Sequence, residues 1–183
     1  MPAETIDDQD YPFVLRFLAR DESAFDELVA RHQAGVYNLC LQMLGNRSDA
    51  EDAAQDVFVA VYKGLPGFRA RSKVATWIFR IAVNKCLGYR KSRQAEASPE
   101  QDVGEWPPGA DELYERRLVR KLIGQLPAHY RAVLVLSYYR ELTCAEIAEV
   151  LEWSQGNVKC YLHRARLMFK KAYEQECGED EEQ

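Results

Sequence analysis

Between Arg69 and Arg93 the chain carries eight basic residues, Arg69, Arg71, Lys73, Arg80, Lys85, Arg90, Lys91 and Arg93, and no acidic one. The whole 183-residue chain has a net charge of -5, so this block departs sharply from the average. Phe68, Trp77, Phe79 and Tyr89 are interleaved with it. Cations neutralise phosphates and flat rings stack on bases, so the mixture suits a nucleic-acid surface better than a merely solvated helix face. A second block, Ser154 to Tyr173, holds Lys159, Arg164, Arg166, Lys170, Lys171 and His163, again without an acid.

The second block sits in a recognisable frame. Thr143 and Glu146 have capping-box spacing before a short helix with Ile147, Ala148 and Leu151 inward. Glu152 and Trp153 turn the chain, and Ser154 caps a further helix with Val158, Leu162, Ala165 and Phe169 inward. Short helix, tight turn and basic helix read as a helix-turn-helix. Asn157, Cys160 and Arg164 fall at i, i+3 and i+7, the face that enters a major groove. Lys159, His163 and Arg166 lie beside them, where phosphates run, and the capped N-terminus at Ser154 favours anions.

These surfaces need helices to hold them. Asp21 is expected to cap a helix ending at Gly45, with Phe25, Leu28, Val29, His32, Val36, Leu39, Cys40 and Met43 at helical spacing. His32 on that stripe reads as a buried structural histidine. Ser48 and Glu51 predict a capping box for a second helix to about Lys63, closed by Gly64 and Pro66. Its apolar stripe is Ala50, Ala54, Val57, Phe58 and Val61; the other face carries Asp49, Asp52, Gln55, Asp56 and Val59. A third helix, from about Ser72 to Lys91, turns Trp77, Ile78, Ile81, Ala82 and Cys86 inward. Gln94 to Glu115 then holds seven acids and no base, together with prolines and glycines. Helical rhythm returns with Leu118, Leu122, Ile123 and Leu126, and after Pro127 with Val133, Leu134, Leu136 and Tyr138 inward. The expected fold is therefore all-α. Two small helical domains, 11–94 and 113–173, are joined by an extended acidic linker, 95–112, with a loose acidic lead-in (1–10) and an acidic tail (174–183).

Several functions are excluded or disfavoured. No run approaches the roughly 18 apolar residues of a membrane span, and the acidic N-terminus lacks the features of a signal peptide. The five scattered cysteines form no CxxC pair, which fits reduced thiols in a cytoplasm rather than a disulfide framework or a zinc site. The acid pairs Asp49/Asp52 and Asp52/Asp56 have no nucleophile, phosphate loop or metal histidine beside them, so neither an enzyme nor a bound metal or cofactor is expected.

EIAEVLEWSQGNVKCYLHRAR, preceded by LPAHYRAVLVLSYYREL, resembles the C-terminal DNA-binding domain of bacterial sigma factors. AEDAAQDVFVAVYKGLPGF followed by ATWIFRIAVNK is similar to their core-polymerase-binding and promoter-melting domain. The two together, over about residues 20–173, resemble the extracytoplasmic-function (ECF) class. The resemblance implies that Asp49, Asp52, Gln55, Phe58 and Val59 meet the clamp of core RNA polymerase. It implies that Arg69, Arg71, Ser72, Lys73, Thr76, Trp77, Arg80 and Asn84 open and hold the minus-ten promoter element. Ser154, Asn157, Lys159, Cys160, His163, Arg164 and Arg166 would then read the minus-thirty-five element. It further implies an anti-sigma partner, membrane-associated, no small-molecule substrate, and a monomer when free. The alternative is a stand-alone helix-turn-helix regulator. This chain departs from the family pattern where Ala70 replaces a glycine, Arg71 an acid, Val74 an aromatic, Ala75 a basic residue and Glu152 the glycine of the turn. Cys160 stands where a small hydroxyl residue is common.

Overall fold

The computed structural model describes residues 8–94 and 110–180. Every regular element among them is helical. The first, α1 (Tyr11–Leu18), was not marked by the sequence pattern. Pro12 suits its first turn, and Val14 is its buried anchor. Arg16 closes the corner into α2 (Ser23–Leu44) by pairing with Asp21 at 2.7 Å and Glu27 at 2.9 Å. That pairing explains why Asp21 does not cap α2. Its carboxylate accepts from Arg16 and, at 2.6 Å, from the Ser23 hydroxyl, while the N-cap position falls to Glu22 without a side-chain bond. Gly45 ends α2 with φ +84°, as expected of a left-handed cap.

Helix α3 (Arg47–Gly64) starts two residues earlier than expected, because Asn46 caps it instead of Ser48. The Asn46 Oδ1 accepts from the Asp49 N–H at 2.8 Å, and its amide donates to the Asp49 carboxylate at 2.7 Å. A single 3-10 turn, Leu65–Gly67, follows, and then α4 (Val74–Gln94). The cap of α4 comes from far away in sequence. The Val74 N–H donates to the Asp8 carboxylate at 2.6 Å, which satisfies one of the orphan donors of the helix start. Residues 8–10 of the expected loose lead-in are therefore structural. Asp10 is buried, with its carboxylate 2.9 Å from His32 Nε2 and 2.7 Å from Arg31. His32 is the buried structural histidine its spacing suggested.

In the C-terminal half, α5 (Ala110–Gln125) begins inside the stretch expected as linker. The remainder of that linker, 95–109, lies outside the described residues, as do 1–7 and 181–183. After Pro127, α6 (Ala128–Leu134) widens into a π-helical turn, Val135–Tyr139. The added residue per turn shifts the register, so Tyr138 points outward at 59% exposure instead of inward. The Thr143–Glu146 capping box opens α7 (Cys144–Leu151) as its spacing predicts. Helix α8 (Gln155–Asp180) runs past Tyr173 into the acidic tail, where Lys121 pairs with Glu176 and Lys170 with Glu174. Acids placed within reach of these lysines keep the expected tail helical through Asp180.

Helix α2 packs against α1, α3 and α4 on one side and meets α5, α6 and the π-helical turn on another. The buried apolar residues form one continuous cluster that includes Leu39, Met43, Val57 and Ile78 of the N-terminal half and Leu136, Ile147, Val158 and Ala165 of the other. Helix α7 rests on α4, and α8 on α6. Among the described residues, no helix is long and apolar enough to cross a membrane.

The cap of α7 is a testable part of this arrangement. Thr143→Ala is expected to lower the unfolding free energy by about 1 kcal/mol in a urea titration at neutral pH. Glu146 has its carboxyl held below the ordinary value of 4.5 by hydrogen bonds from the Thr143 backbone and hydroxyl. A depressed carboxylate contributes stability above its unfolded pKa and loses it as pH falls through the folded one. The difference between Thr143→Ala and the wild type should therefore shrink as the titration is moved into acid.

Candidate nucleic-acid interface

The segment between the 3-10 turn and α4 presents Arg69, Arg71 and Lys73 to solvent, with Ser72 half-buried. Ala70 takes φ +49°, a conformation that glycine adopts more easily, so the loop is bent sharply at a residue with a side chain. Trp77 on the first turn of α4 is half-buried. Its ring lies 5.1 Å from that of Phe68 and covers Gly64, where a Cβ would come within 2.9 Å of the indole. Gly64 thus provides the space in which Trp77 lies flat, and one ring face is packed while part of the indole stays accessible. Thr76 is buried beneath the exposed residues of this segment, at 6% exposure. Asn84 is exposed.

The cations of α4 are less free than the sequence implied. Lys85 lies 3.6 Å from Asp56 of α3, and the Tyr89 hydroxyl donates to the same carboxylate at 3.2 Å. Arg80 donates to Glu152 at 3.1 Å and to the Glu149 carbonyl at 2.5 Å, both across the seam between the halves. The block is free of acid in sequence but not in space, because its counter-charges come from α3 and from the helix-turn-helix. The side chains of Arg90, Lys91 and Arg93 lie outside the described residues.

The helix-turn-helix forms as its spacing requires. The Ser154 hydroxyl accepts from the Asn157 N–H at 3.2 Å, and Asn157, Lys159, Cys160, His163, Arg164 and Arg166 are all exposed on α8. An aromatic stack that the sequence reading passed over holds this helix in place. The Tyr130 and Tyr161 rings stack at 5.0 Å, and Trp153 lies 4.7 Å from Tyr161. The neighbouring Tyr130 hydroxyl raises the Arg164 pKa. Arg166 sits over the Tyr138 ring at 5.6 Å. Both arginines therefore lie beside aromatic rings, a setting that suits a planar guanidinium.

A separate surface lies on α2 and α3. Phe25, Val29 and Tyr37 of α2 line a shallow groove with Gln55, Phe58, Val59 and Tyr62 of α3. Val59 and Tyr62 are 52% and 46% exposed, large for apolar side chains side by side. Asp52 and Gln55 are exposed on the same helix, whereas Asp49 is buried and engaged by Asn46, so Asp49 is a capping partner and not part of the open face. Tyr62 also packs edge-on against Phe17 and Phe25, at 5.2 and 5.0 Å. Its spacing of three residues from Val59, which sets both on one helix face, was the signal available in the sequence.

Comparison with known proteins gives these surfaces relatives. The family model for Sigma-70 region 2 matches residues 28–96 and that for Sigma-70, region 4 matches residues 116–169. The ECF RNA polymerase sigma factor SigW of Bacillus subtilis is 32% identical over 167 residues, which cover 82% of this chain and 89% of SigW. The RNA polymerase sigma-H factor of Pseudomonas aeruginosa is 30% identical over 182 residues, covering 90% and 94% of the two chains. Among solved structures, CnrH in complex with the cytosolic domain of CnrY superposes with a TM-score of 0.71 at 27% identity, over 90% of this chain and 97% of that one.

The two kinds of contact on α8 are separable by measurement. In binding of the full chain to duplex DNA, Lys159→Ala should reduce the slope of log affinity against log salt by about 0.9 and weaken all sequences alike. Asn157→Ala should leave the slope in place and relax base preference at one position, by about 1–3 kcal/mol.

Proposed function

The chain belongs to the extracytoplasmic-function family of RNA polymerase sigma factors, and from that membership we propose how its surfaces divide the work. It is a sigma factor: it binds core RNA polymerase, directs it to promoters and assists their melting. Helix α8 lies in the major groove of the minus-thirty-five element, with Asn157, Cys160 and Arg164 toward base edges. Ser154, Lys159, His163 and Arg166 are directed at phosphates. A thiol at position 160 is a poor hydrogen-bonding group but makes good contact with a thymine methyl, so thymine is favoured opposite it.

The loop before α4 and the first turns of that helix engage the minus-ten element. Arg69, Arg71 and Lys73 follow the melted strand, and Trp77 offers its accessible edge to an unstacked base. Extruding a base costs a few kcal/mol, which stacking and backbone contacts offset. Arg80 and Asn84 extend this track along α4. Core polymerase docks on the groove of α2 and α3, where Asp52 and Gln55 flank the apolar strip of Phe58, Val59 and Tyr62. A rim of acid and amide around an apolar centre suits a basic helical partner.

The observation that carries this division is the presence of an exposed apolar groove on the half that also bears the basic loop and α4. A stand-alone helix-turn-helix regulator has no need of both on one small bundle. By the same kinship we assign the chain an antagonist protein, an anti-sigma factor, and a place of action in the cytoplasm beside the polymerase. Its role is binding and positioning; the polymerase performs the chemistry.

The test is transcription by sigma-free core polymerase on a pool of promoter fragments. Start-site-specific RNA is expected only when the chain is added. Val59→Asp places a charge in the centre of the groove at an exposed position, so the variant should fold normally. It should lose polymerase association by ~30-fold or more, the scale of an interface hot spot. Association at wild-type strength would remove the groove from the docking surface.

A further inference from the structure

The loop that the preceding reading gives to the melted strand is held by residues that have no part in that reading. Arg69 to Lys73 are bounded by Phe68 on one side and by Val74, the first residue of α4, on the other. One short turn, Asp8 to Tyr11, holds both boundaries. The Tyr11 ring lies 6.4 Å from that of Phe68, which itself lies 5.1 Å from Trp77. The Asp8 carboxylate accepts from the Val74 N–H at 2.6 Å with one oxygen and from the Asp10 N–H at 3.0 Å with the other. The Tyr11 N–H donates to the Asp8 carbonyl at 3.2 Å and closes the turn.

This turn is fastened to α2. Buried Asp10 meets Arg31 at 2.7 Å and His32 Nε2 at 2.9 Å, and the Gln9 amide oxygen accepts from Arg31 at 2.9 Å. The loop therefore takes its position from α2, the helix that also forms one wall of the apolar groove.

The residues around the start of α4 explain why it needs help from a distance. A helix start favours a side-chain acceptor at the residue before it and negative charge in its first turn. Here the preceding residue is Lys73, whose ammonium accepts nothing, and the first turn of α4 holds no acid. An acid at position 73 could cap the helix but would repel the phosphates that Arg69 and Arg71 are placed to meet. Asp8 supplies acceptor and charge from a half-buried position while Lys73 stays exposed. Ala70, at φ +49°, fits the same picture. Strained backbone persists where its surroundings over-determine it, and a short loop held at both ends meets that condition.

We propose that the Asp8–Tyr11 turn is a positioning clamp for promoter melting. Asp8 sets the exit of the Arg69–Lys73 loop and Tyr11 its entrance, so the cations and Trp77 are in place before the unstacked strand arrives. The inference rests on the sigma reading, because it takes that loop to be a DNA surface. Such preorganisation removes ordering cost from the opening step and leaves polymerase docking untouched.

Asp8→Ala removes both side-chain acceptors, and Asp8→Asn keeps one. Each full-length variant is compared with the wild type once circular dichroism has established that it is folded. Amide hydrogen exchange in peptides spanning residues 69–77 of the free chain should be about fivefold faster in Asp8→Ala, the equilibrium worth of a helix cap. Asp8→Asn should fall between that and the wild type. Affinity for core polymerase should not change. Promoter opening is read as permanganate-reactive thymines in the minus-ten region per bound complex, on a promoter recovered from the pooled transcription assay. It should fall about fivefold in Asp8→Ala and less in Asp8→Asn. The sign is diagnostic, because loss of an acid beside a phosphate track by itself strengthens contact with DNA. Opening that rises or stays at the wild-type level in Asp8→Ala refutes the clamp, and so does unchanged exchange. A wild-type chain that opens no promoter sinks the sigma reading instead, and the exchange result still decides whether the turn holds the loop.

Discussion

Arginine capping across the seam between the halves is the interaction on which the arrangement depends. Arg131 of α6 is 2% exposed, and a buried guanidinium is tolerated only when its N–H groups find acceptors. It donates to the Met43 carbonyl at 2.6 Å and to the Gly124 and Leu126 carbonyls. Met43 lies in the last turn of α2, while Gly124 and Leu126 lie at the end of α5. One side chain therefore caps the C-termini of two helices, one in each half. Arg80 does the reverse, reaching from the N-terminal half to the end of α7. These exchanges fix the relative rotation of the halves more sharply than apolar contact can, because hydrogen bonds to carbonyls are directional and burial is not.

The two arginines differ in their surroundings. Arg131 is enclosed, and removing its acceptors would strand a charge in the core. Arg80 keeps 27% of its side chain exposed, and its partner Glu152 keeps 68%. An ion pair in that environment is worth little net, since solvent and salt screen it. The seam thus combines an enclosed anchor near the α2–α5–α6 corner with a more exposed fastening between α4 and the end of α7.

Much of the local architecture was legible in the sequence, because its causes are local. The Thr143–Glu146 capping box, the Ser154 cap, the Gly45 stop and the His32 position all follow from spacing within a few residues. Where the reading failed, the cause lay at a distance or in a competition. Asn46 displaced Ser48 as the cap of α3 by serving both the backbone and the side chain of Asp49. Asp8 caps α4 from 66 residues away, which no window along the chain can reveal. Asp21 was taken by Arg16. The family membership was plain from two motifs in order, yet the pairing of Lys85 with Asp56 and of Arg80 with Glu152 was not, since a charge count along the chain treats acids on other helices as absent.

Position around α2 keeps these surfaces apart. At 3.6 residues per turn, Gly35 lies about 140° around the helix from the centre of the groove residues Phe25, Val29, Gln33 and Tyr37. The apolar groove and the seam thus face away from each other on one rod. Anything seated in that groove therefore leaves the Arg80 and Arg140 contacts uncovered, because both lie on the other side of the α2 axis.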